Sequence, residues 1–387
     1  MQTISYGYQS ISEADIKAVE EVLCSDWLTQ GPMVNRFENA VAQYCGASYS
    51  VAVCNATAAL HLACKVLGVG EGDYVWTSPN TFLASANCAL YCGAKVDFID
   101  IEPRTYDLSV TELTRKLEVA ASDNKLPKVV IPVHFAGQSC DMRAIKTLAD
   151  KYGFKIIEDA SHAIGGSYYG EKIGNCRYSD LTVFSFHPVK IITTGEGGMI
   201  MTNDHDLCDK LKILRSHGMT RDQKFMQGES EGAWYYQQIA LGHNYRLTDI
   251  QCALGLSQLK RIDEFVSKRH ELAKRYNEAL KNLPVVLPFQ EMYNYSAFHL
   301  YVIQLKPNQI KKTRKQVFDE LRAAGIGVNV HYIPVHLQPY YRQFGFKEGD
   351  YPLVETYYQG ALTLPLYPDL TGYQFNFVTD AIDKVLL

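Results

Sequence analysis

The stretch "KVVIPVHFAGQSCDMRAIKTLADKYGFKIIEDASHA" occupies residues 128–163. Its two apolar runs, "KVVIPVH" and "FKIIED", read as strands, and "DMRAIKTLADKYG" between them reads as a helix. Two strands joined by a helix run parallel, because a tight hairpin cannot return a chain in the same direction. The second run ends in Glu158-Asp159, which places carboxylates at the C-terminal edge of a parallel strand. Open α/β sheets bind their ligands at that edge.

The same alternation extends outward. "SVAVC" (50–54) precedes a helix over 57–67 that stops at Gly68. "YVWTSP" precedes "TFLASANCALYC", which stops at Gly93, and "KVDFID" follows. "GMIMTN" (198–203) is a later strand. The pattern predicts an α/β fold whose mostly parallel sheet is covered on both faces. Upstream lies an N-terminal arm, residues 1–11. Ser12 and Asp15 then form a capping box that opens a helix with Ile16, Val19 and Leu23 on one face.

Near Thr248 the character changes. Thr248 and Gln251 make a second box, and Ile250, Leu254, Leu256, Leu259, Ile262 and Val266 continue at roughly helical spacing. They predict one long helix reaching about Leu283 and bridging two domains. Beyond it, "FHLYVIQL", a helix from Gln309 to Ala324 and "GVNVHYIP" predict a small α+β domain. The organisation expected is therefore an arm (1–11), a large domain (12–250) and a small C-terminal domain (251–387).

Composition excludes several classes. The 387 residues carry a formal charge of −4, which argues against general binding to nucleic acid or a membrane surface. A small anionic ligand needs only a local group of donors and remains compatible. The start, "MQTISYGYQSIS", lacks the basic-then-apolar pattern of a signal peptide, and no apolar run is long enough to span a membrane. The ten cysteines are scattered without a C-x-x-C pair, so they read as reduced, buried hydrophobes of a cytoplasmic protein. The eleven histidines form no H-x-x-x-H pair, and no metal site is expected. "GVGEGD" (68–73) has Asp73 where a dinucleotide fingerprint needs its third glycine, and it follows a helix instead of a strand. No phosphate-binding G-x-x-x-x-G-K-[ST] and no G-x-S-x-G elbow occurs. "KKTRK" (311–315) opens an amphipathic helix and reads as its solvated face.

Four elements make sense together around a flat, anionic aldehyde cofactor. "NATAAL" (55–60) starts a helix after a strand, where free N–H groups and the Thr57 hydroxyl suit a phosphate; a plain N-cap at Asn55 or Thr57 is the alternative. Asp159, facing a pyridine nitrogen, would keep that ring protonated and electron-withdrawing. Phe82, in "PNTFLAS", offers a stacking face. Lys190, in "FSFHPVKIITTGEGG" (184–198), is a cation at the end of an apolar run. Burying it is costly unless its charge is removed, as condensation with an aldehyde would do. The glycines at 195, 197 and 198 let the following strand turn back closely.

"EDASHA", "FSFHPVKIITTGEGG", "RSHGM" and "GHNYRLTDIQCALGLSQLK" together resemble the sugar-nucleotide aminotransferases of the fold-type I pyridoxal-phosphate class. The likeness runs from "LTQGP" (28–32) to "VHYIP" (330–334). It implies an aspartate-aminotransferase-like large domain with a seven-stranded sheet, and pyridoxal 5'-phosphate as cofactor. Residue by residue, it implies that Lys190 holds the cofactor as a Schiff base and Asp159 pairs with the pyridinium. His162 would lie beside the ring hydroxyl and Phe82 on the ring face, with Ala56, Thr57 and Ser185 on the phosphate. Asn244 and Arg246 would reach across a homodimer interface into the partner's site, Asn244 toward the phosphate. Thr29, His331, Tyr332 and Tyr6 resemble positions lining a sugar-nucleotide pocket. The reaction implied moves an amino group from L-glutamate to the C4 keto group of a UDP-linked 4-keto-6-deoxy N-acetylated hexose. Another nucleotide-linked keto sugar, or a non-catalytic protein of the same fold, are the alternatives. Some relatives replace the lysine with histidine and eliminate instead; here the lysine is present.

Overall fold

Runs of Val, Ile and Leu too continuous for a one-sided sheet build a strand layer buried on both faces. A computed structural model describes residues 3–123 and 125–387, so of the expectations above only the first two residues of the arm fall outside it. Seven strands form the layer: β1 (Tyr49–Val53), β2 (Tyr74–Thr77), β3 (Lys95–Phe98), β4 (Val129–Ile131), β5 (Lys155–Asp159), β6 (Leu181–Ser185) and β7 (Gly198–Thr202). Their order across the sheet is β1-β7-β6-β5-β4-β2-β3, and all run parallel except β7. Successive residues face opposite cores. Val51, Val53, Val183 and Ile200 join one apolar cluster, while Ala52, Phe184, Met199 and Met201 join the other.

Helices cover both faces. Those that matter below are α1 (Glu13–Leu23), α2 (Pro32–Cys45), α3 (Ala56–Val66), α4 (Ala84–Tyr91), α5 (Val110–Ser122), α6 (Met142–Tyr152) and α7 (His205–Arg215). The expected capping box closes α1, with Ser12 and Asp15 bonding each other's backbone. Its buried face differs from expectation, however. Ile16 and Leu23 are exposed, whereas Asp15 and Val22 are buried. The reason is polar packing: Asp15 accepts from Gln258 and Arg261, which turns the acidic side of the helix inward.

The single long helix predicted after Thr248 is two, α8 (Asp249–Leu259) and α9 (Ile262–Leu280). Arg261 leaves the helical region at the junction (φ −111°, ψ 6°), and its guanidinium reaches Ser10 O and Asp15 Oδ2. The next expected helix also starts later, as α10 (Arg314–Ala323), because Thr313 and Gln316 form a capping box there. Of "GVNVHYIP" (327–334) only Gly327 is strand, pairing as the end of the short Ile326–Gly327 strand.

A second apolar core gathers Leu272, Tyr276 and Leu280 of α9, Tyr301 and Ile303 of β8 (Tyr301–Leu305), and Leu362 and Leu364 of β9 (Ala361–Leu364). Ile4 of the arm belongs to it, held by parallel pairing of Ile4–Ser5 with Ile326–Gly327. The arm thus crosses between the cores and delivers Tyr6 to the sheet's ligand edge. No helix among the described residues is long and apolar enough to cross a membrane.

Candidate active site

Sheet register brings the distant motifs into one row. Gly198 opens β7 directly between Val53, the last residue of β1, and Ser185, the last of β6. Asp159, the last of β5, sits beside Val183. The strand ends therefore present Asn55, Gly198, Ser185 and Asp159 side by side. Asn55, Ser185 and Asp159 border a cavity of about 570 Å³ that is also lined by Ala56, Thr57, Phe82, His162, Lys190, His331, Tyr332 and Tyr6. A groove of similar size between α1, α2 and α8, about 600 Å³, holds none of the expected site residues.

Asn55 is the N-cap of α3, its Oδ1 accepting from Ala58 N at 2.8 Å. The plain-cap reading of this motif is thus correct for Asn55, and it leaves the N–H groups of Ala56 and Thr57 free at the helix's positive end. Gly198 makes that end accessible. A Cβ there would lie 2.6 Å from Asn55 C and 2.8 Å from Ala56 N, so only glycine lets β7 pass beneath the helix terminus. Gly198→Val should push β7 off α3 and cost about 1–3 kcal/mol of stability by overpacking. Dialysed protein carrying it should retain far less cofactor, measured as visible absorbance per chain.

Lys190 sits on a loop closed at its base by paired hydrogen bonds. Thr193 Oγ1 and Thr194 N both donate to Phe186 O, and Phe186 N donates to Gly197 O. The lysine remains partly accessible through the cavity, but protein surrounds it closely enough that desolvation pulls its pKa from 10.5 to about 8, against the opposing charge of Asp159. A neutral amine is the form that condenses with an aldehyde. Capture of pyridoxal phosphate by the apoenzyme should therefore quicken about tenfold per pH unit up to about 8 and level off above it. Stopped-flow absorbance across pH 6 to about 9.5 reads this directly; a rate still climbing steeply above pH 9 would contradict it.

Asp159 is buried and both its oxygens are engaged. Ser85 Oγ donates to Oδ2 at 2.5 Å, and Ser161 N donates to Oδ1 at 3.1 Å. Ser85 in turn pairs with Thr81 at 2.7 Å. Ser85 carries no signal in the sequence, since it lies 74 residues from its partner.

His162 is buried, and burial together with the nearby Lys190 and His331 holds its pKa well below 6.5. Its Nδ1 accepts from Ala136 N at 3.3 Å, which leaves the proton on Nε2, 3.1 Å from the Tyr332 hydroxyl. Phe82, 59% exposed, presents an open face at the cavity's edge. His331 is buried against Tyr6, with ring centroids 5.1 Å apart, and its Nδ1 pairs with Thr363.

Three expected residues lie elsewhere. Thr29 and Arg246 line a separate cleft of about 200 Å³ with Arg215 and Leu247. Asn244 bridges Ser216, and Arg246 bridges Val53, so this segment runs along the open edge of β1, outside the cavity. Sequence reasoning also missed His187, Glu196, His299 and Asn329, which line the cavity itself.

The cofactor fits what is present. A helix N-terminus with free donors under a glycine strand suits the phosphate, a fixed carboxylate suits a pyridinium, and a lysine amine whose pKa burial lowers to about 8 suits the aldehyde. Among the described residues no cluster of metal-ligating side chains occurs.

A family model described as the DegT/DnrJ/EryC1/StrS aminotransferase family matches residues 9–383. The UDP-4-amino-4,6-dideoxy-N-acetyl-beta-L-altrosamine transaminase of Campylobacter jejuni is 37% identical over 99% of this chain and 97% of its own. The GDP-perosamine synthase of Caulobacter vibrioides is also 37% identical, over 95% of this chain and 94% of its own. Among solved structures, the Helicobacter pylori aminotransferase PseC, described as involved in pseudoaminic acid biosynthesis, superposes with a TM-score of 0.91 at 30% identity, covering 100% of this chain and 99% of that one. The putative sugar aminotransferase Spr1654 of Streptococcus pneumoniae, in its PLP-form, does so at 0.88 and 28% identity, covering 100% of each.

Proposed function

This chain belongs to the DegT/DnrJ/EryC1/StrS aminotransferase family, and from that premise we propose that it aminates C4 of a UDP-linked 4-keto-6-deoxy N-acetylated hexose, with L-glutamate as donor, in a pseudaminic acid-type pathway. It is a pyridoxal-phosphate-dependent sugar aminotransferase. The observation that carries the finer reading is the convergence of Lys190, Asp159 and a sugar-sized cavity in a chain 37% identical to a UDP-sugar transaminase along its whole length.

Bound pyridoxal phosphate supplies an electron sink, and the chain's residues do the rest. The N–H groups of Ala56 and Thr57 and the Ser185 hydroxyl would hold the phosphate. Asp159, kept in place by Ser85 and Ser161, would hold the pyridinium proton. Phe82 would cover one ring face, and His162 would lie beside the ring hydroxyl. Lys190 Nζ takes the proton from the donor's Cα in the first half-reaction and delivers one to the sugar's C4 in the second. A base so positioned is worth about 10²–10⁴ in rate. Tyr6, His331 and Tyr332 border the same cavity, where they would contact the sugar nucleotide.

Asn244, Arg246 and Thr29 lie outside this chain's own cavity, which supports a homodimer whose partner supplies them to the site. The reaction is a cytoplasmic one.

A different nucleotide is the second reading, favoured by the relative named for a GDP sugar at equal identity. Mass spectrometry of products from UDP-, dTDP- and GDP-linked keto sugars, with isotopically labelled glutamate, tests both. Label in an aminated UDP-N-acetylhexose alone supports the first reading. Label only in a GDP or dTDP product overturns it.

A further inference from the structure

His299 is 4% exposed and lines the cavity, yet neither ring nitrogen makes a hydrogen bond among the described residues, and Nδ1 is enclosed without a partner. A slot that needed only packing would be filled better by phenylalanine, as at the neighbouring Phe135 and Phe298, because an enclosed, unpaired polar atom destabilises the fold. The imidazole ring lies with its centroid 4.4 Å from that of His162, tilted by 48°.

The backbone around it is closely specified. Ala297 N donates to Gly137 O, and Leu300 N donates to Ala136 O, so the approach to β8 is stitched to the turn whose Ala136 N–H also bonds His162. Gly137 has φ +107°, and a Cβ on it would lie 2.8 Å from Phe298 N, 3.0 Å from His162 O and 3.1 Å from His299 N. Phe298 adopts the left-handed φ of 46°, unusual for a side chain of its size. From below, the fully buried Arg269 of α9 donates to Phe298 O, His299 O and Leu366 O. Local strain and a buried guanidinium are thus spent on holding one imidazole against another.

We propose that His299 is a positioning residue that acts through His162, holding that ring in a single orientation with its proton on Nε2, toward the cofactor's ring hydroxyl. The groups facing the pair are Lys190, His331, Arg269 and the Tyr332 hydroxyl, and burial together with the cationic groups among them keeps both imidazoles neutral. Packed against His162, His299 keeps that ring turned so that Nδ1 meets the Ala136 N–H; without it the ring can turn away from that bond and exchange tautomers. The inference rests on the proposed placement of His162 beside the cofactor.

The test is a cycle of His299→Phe, His162→Asn and the double variant. It is read by the pH midpoint of the holoenzyme's visible absorption, by kcat and KM, and by ¹⁵N imidazole spectra of the apoenzyme. In His299→Phe the midpoint should move by about half a pH unit or more. Its kcat should fall about tenfold to a hundredfold while both KM values stay within about twofold. The His162 spectrum should lose its single Nε2–H tautomer. In the double variant the His299 effect should vanish. An unchanged midpoint and kcat in His299→Phe overturns the proposal, as do effects that add undiminished in the double variant. Should His299→Phe not fold, His299→Asn is read by the same criteria, and failure of both to fold assigns the residue to packing and also overturns it. A His162→Asn variant with an unmoved midpoint would instead remove the placement of His162 itself.

Discussion

Lys190→Ala is expected to abolish turnover while leaving the fold intact. The loop that carries Lys190 is held by backbone and threonine hydrogen bonds to Phe186, none of which involves the lysine side chain. Truncation therefore removes the amine and little else. Loss of the proton-transferring base alone costs about 10²–10⁴ in rate, and loss of the group that fixes the cofactor adds to it. Stability should respond with a definite sign. Because folding depresses the amine's pKa from 10.5 to about 8, the unfolded chain binds the extra proton between those values. The wild-type apoenzyme should thus gain stability over the variant as pH rises through that window, and differ from it least steeply below pH 8. Circular dichroism melts and single-turnover assays of each half-reaction check both parts. Ping-pong transamination surviving in the variant would remove Lys190 from the chemistry.

Asp159→Asn is the second large effect. The amide is nearly isosteric, and its oxygen can still accept from Ser85 or from Ser161 N, so the melting temperature should change by only a few degrees. The charge disappears, and with it the group proposed to keep the cofactor's ring nitrogen protonated. Removing a single preorganised electrostatic contact of this kind costs about 10²–10³ in kcat. A second readout is independent of turnover. Asp159 raises the Lys190 pKa against the pull of burial, so in the variant the pH midpoint for cofactor capture should drop below about 8. A variant with kcat within threefold of wild type, or with that midpoint unmoved, would contradict the assigned role.

Much of this was legible along the chain. The strands around Val129–Ile131 and Lys155–Asp159 declare themselves because burial on both faces demands unbroken apolar runs. The Ser12–Asp15 and Thr248–Gln251 boxes do so because capping is satisfied within four residues. The α8–α9 break was not legible, since the apolar spacing runs through it and the interruption depends on Arg261 meeting Asp15, 246 residues away. The face of α1 was misread for the same reason: Ile16 looks like core until a polar partner turns Asp15 inward.

The site divides along the same line. Sequence alone determined the α/β alternation, the lysine and aspartate proposed to carry the chemistry, and the helix terminus that suits a phosphate, because each is a short-range pattern with its own physical requirement. Only the tertiary structure decided that Ser85 holds Asp159, that Gly198 clears the α3 terminus, and that Thr29, Asn244 and Arg246 lie outside this chain's cavity. It also set His299 against His162. Those contacts join residues far apart in the chain through sheet register and close packing, and no local periodicity encodes them.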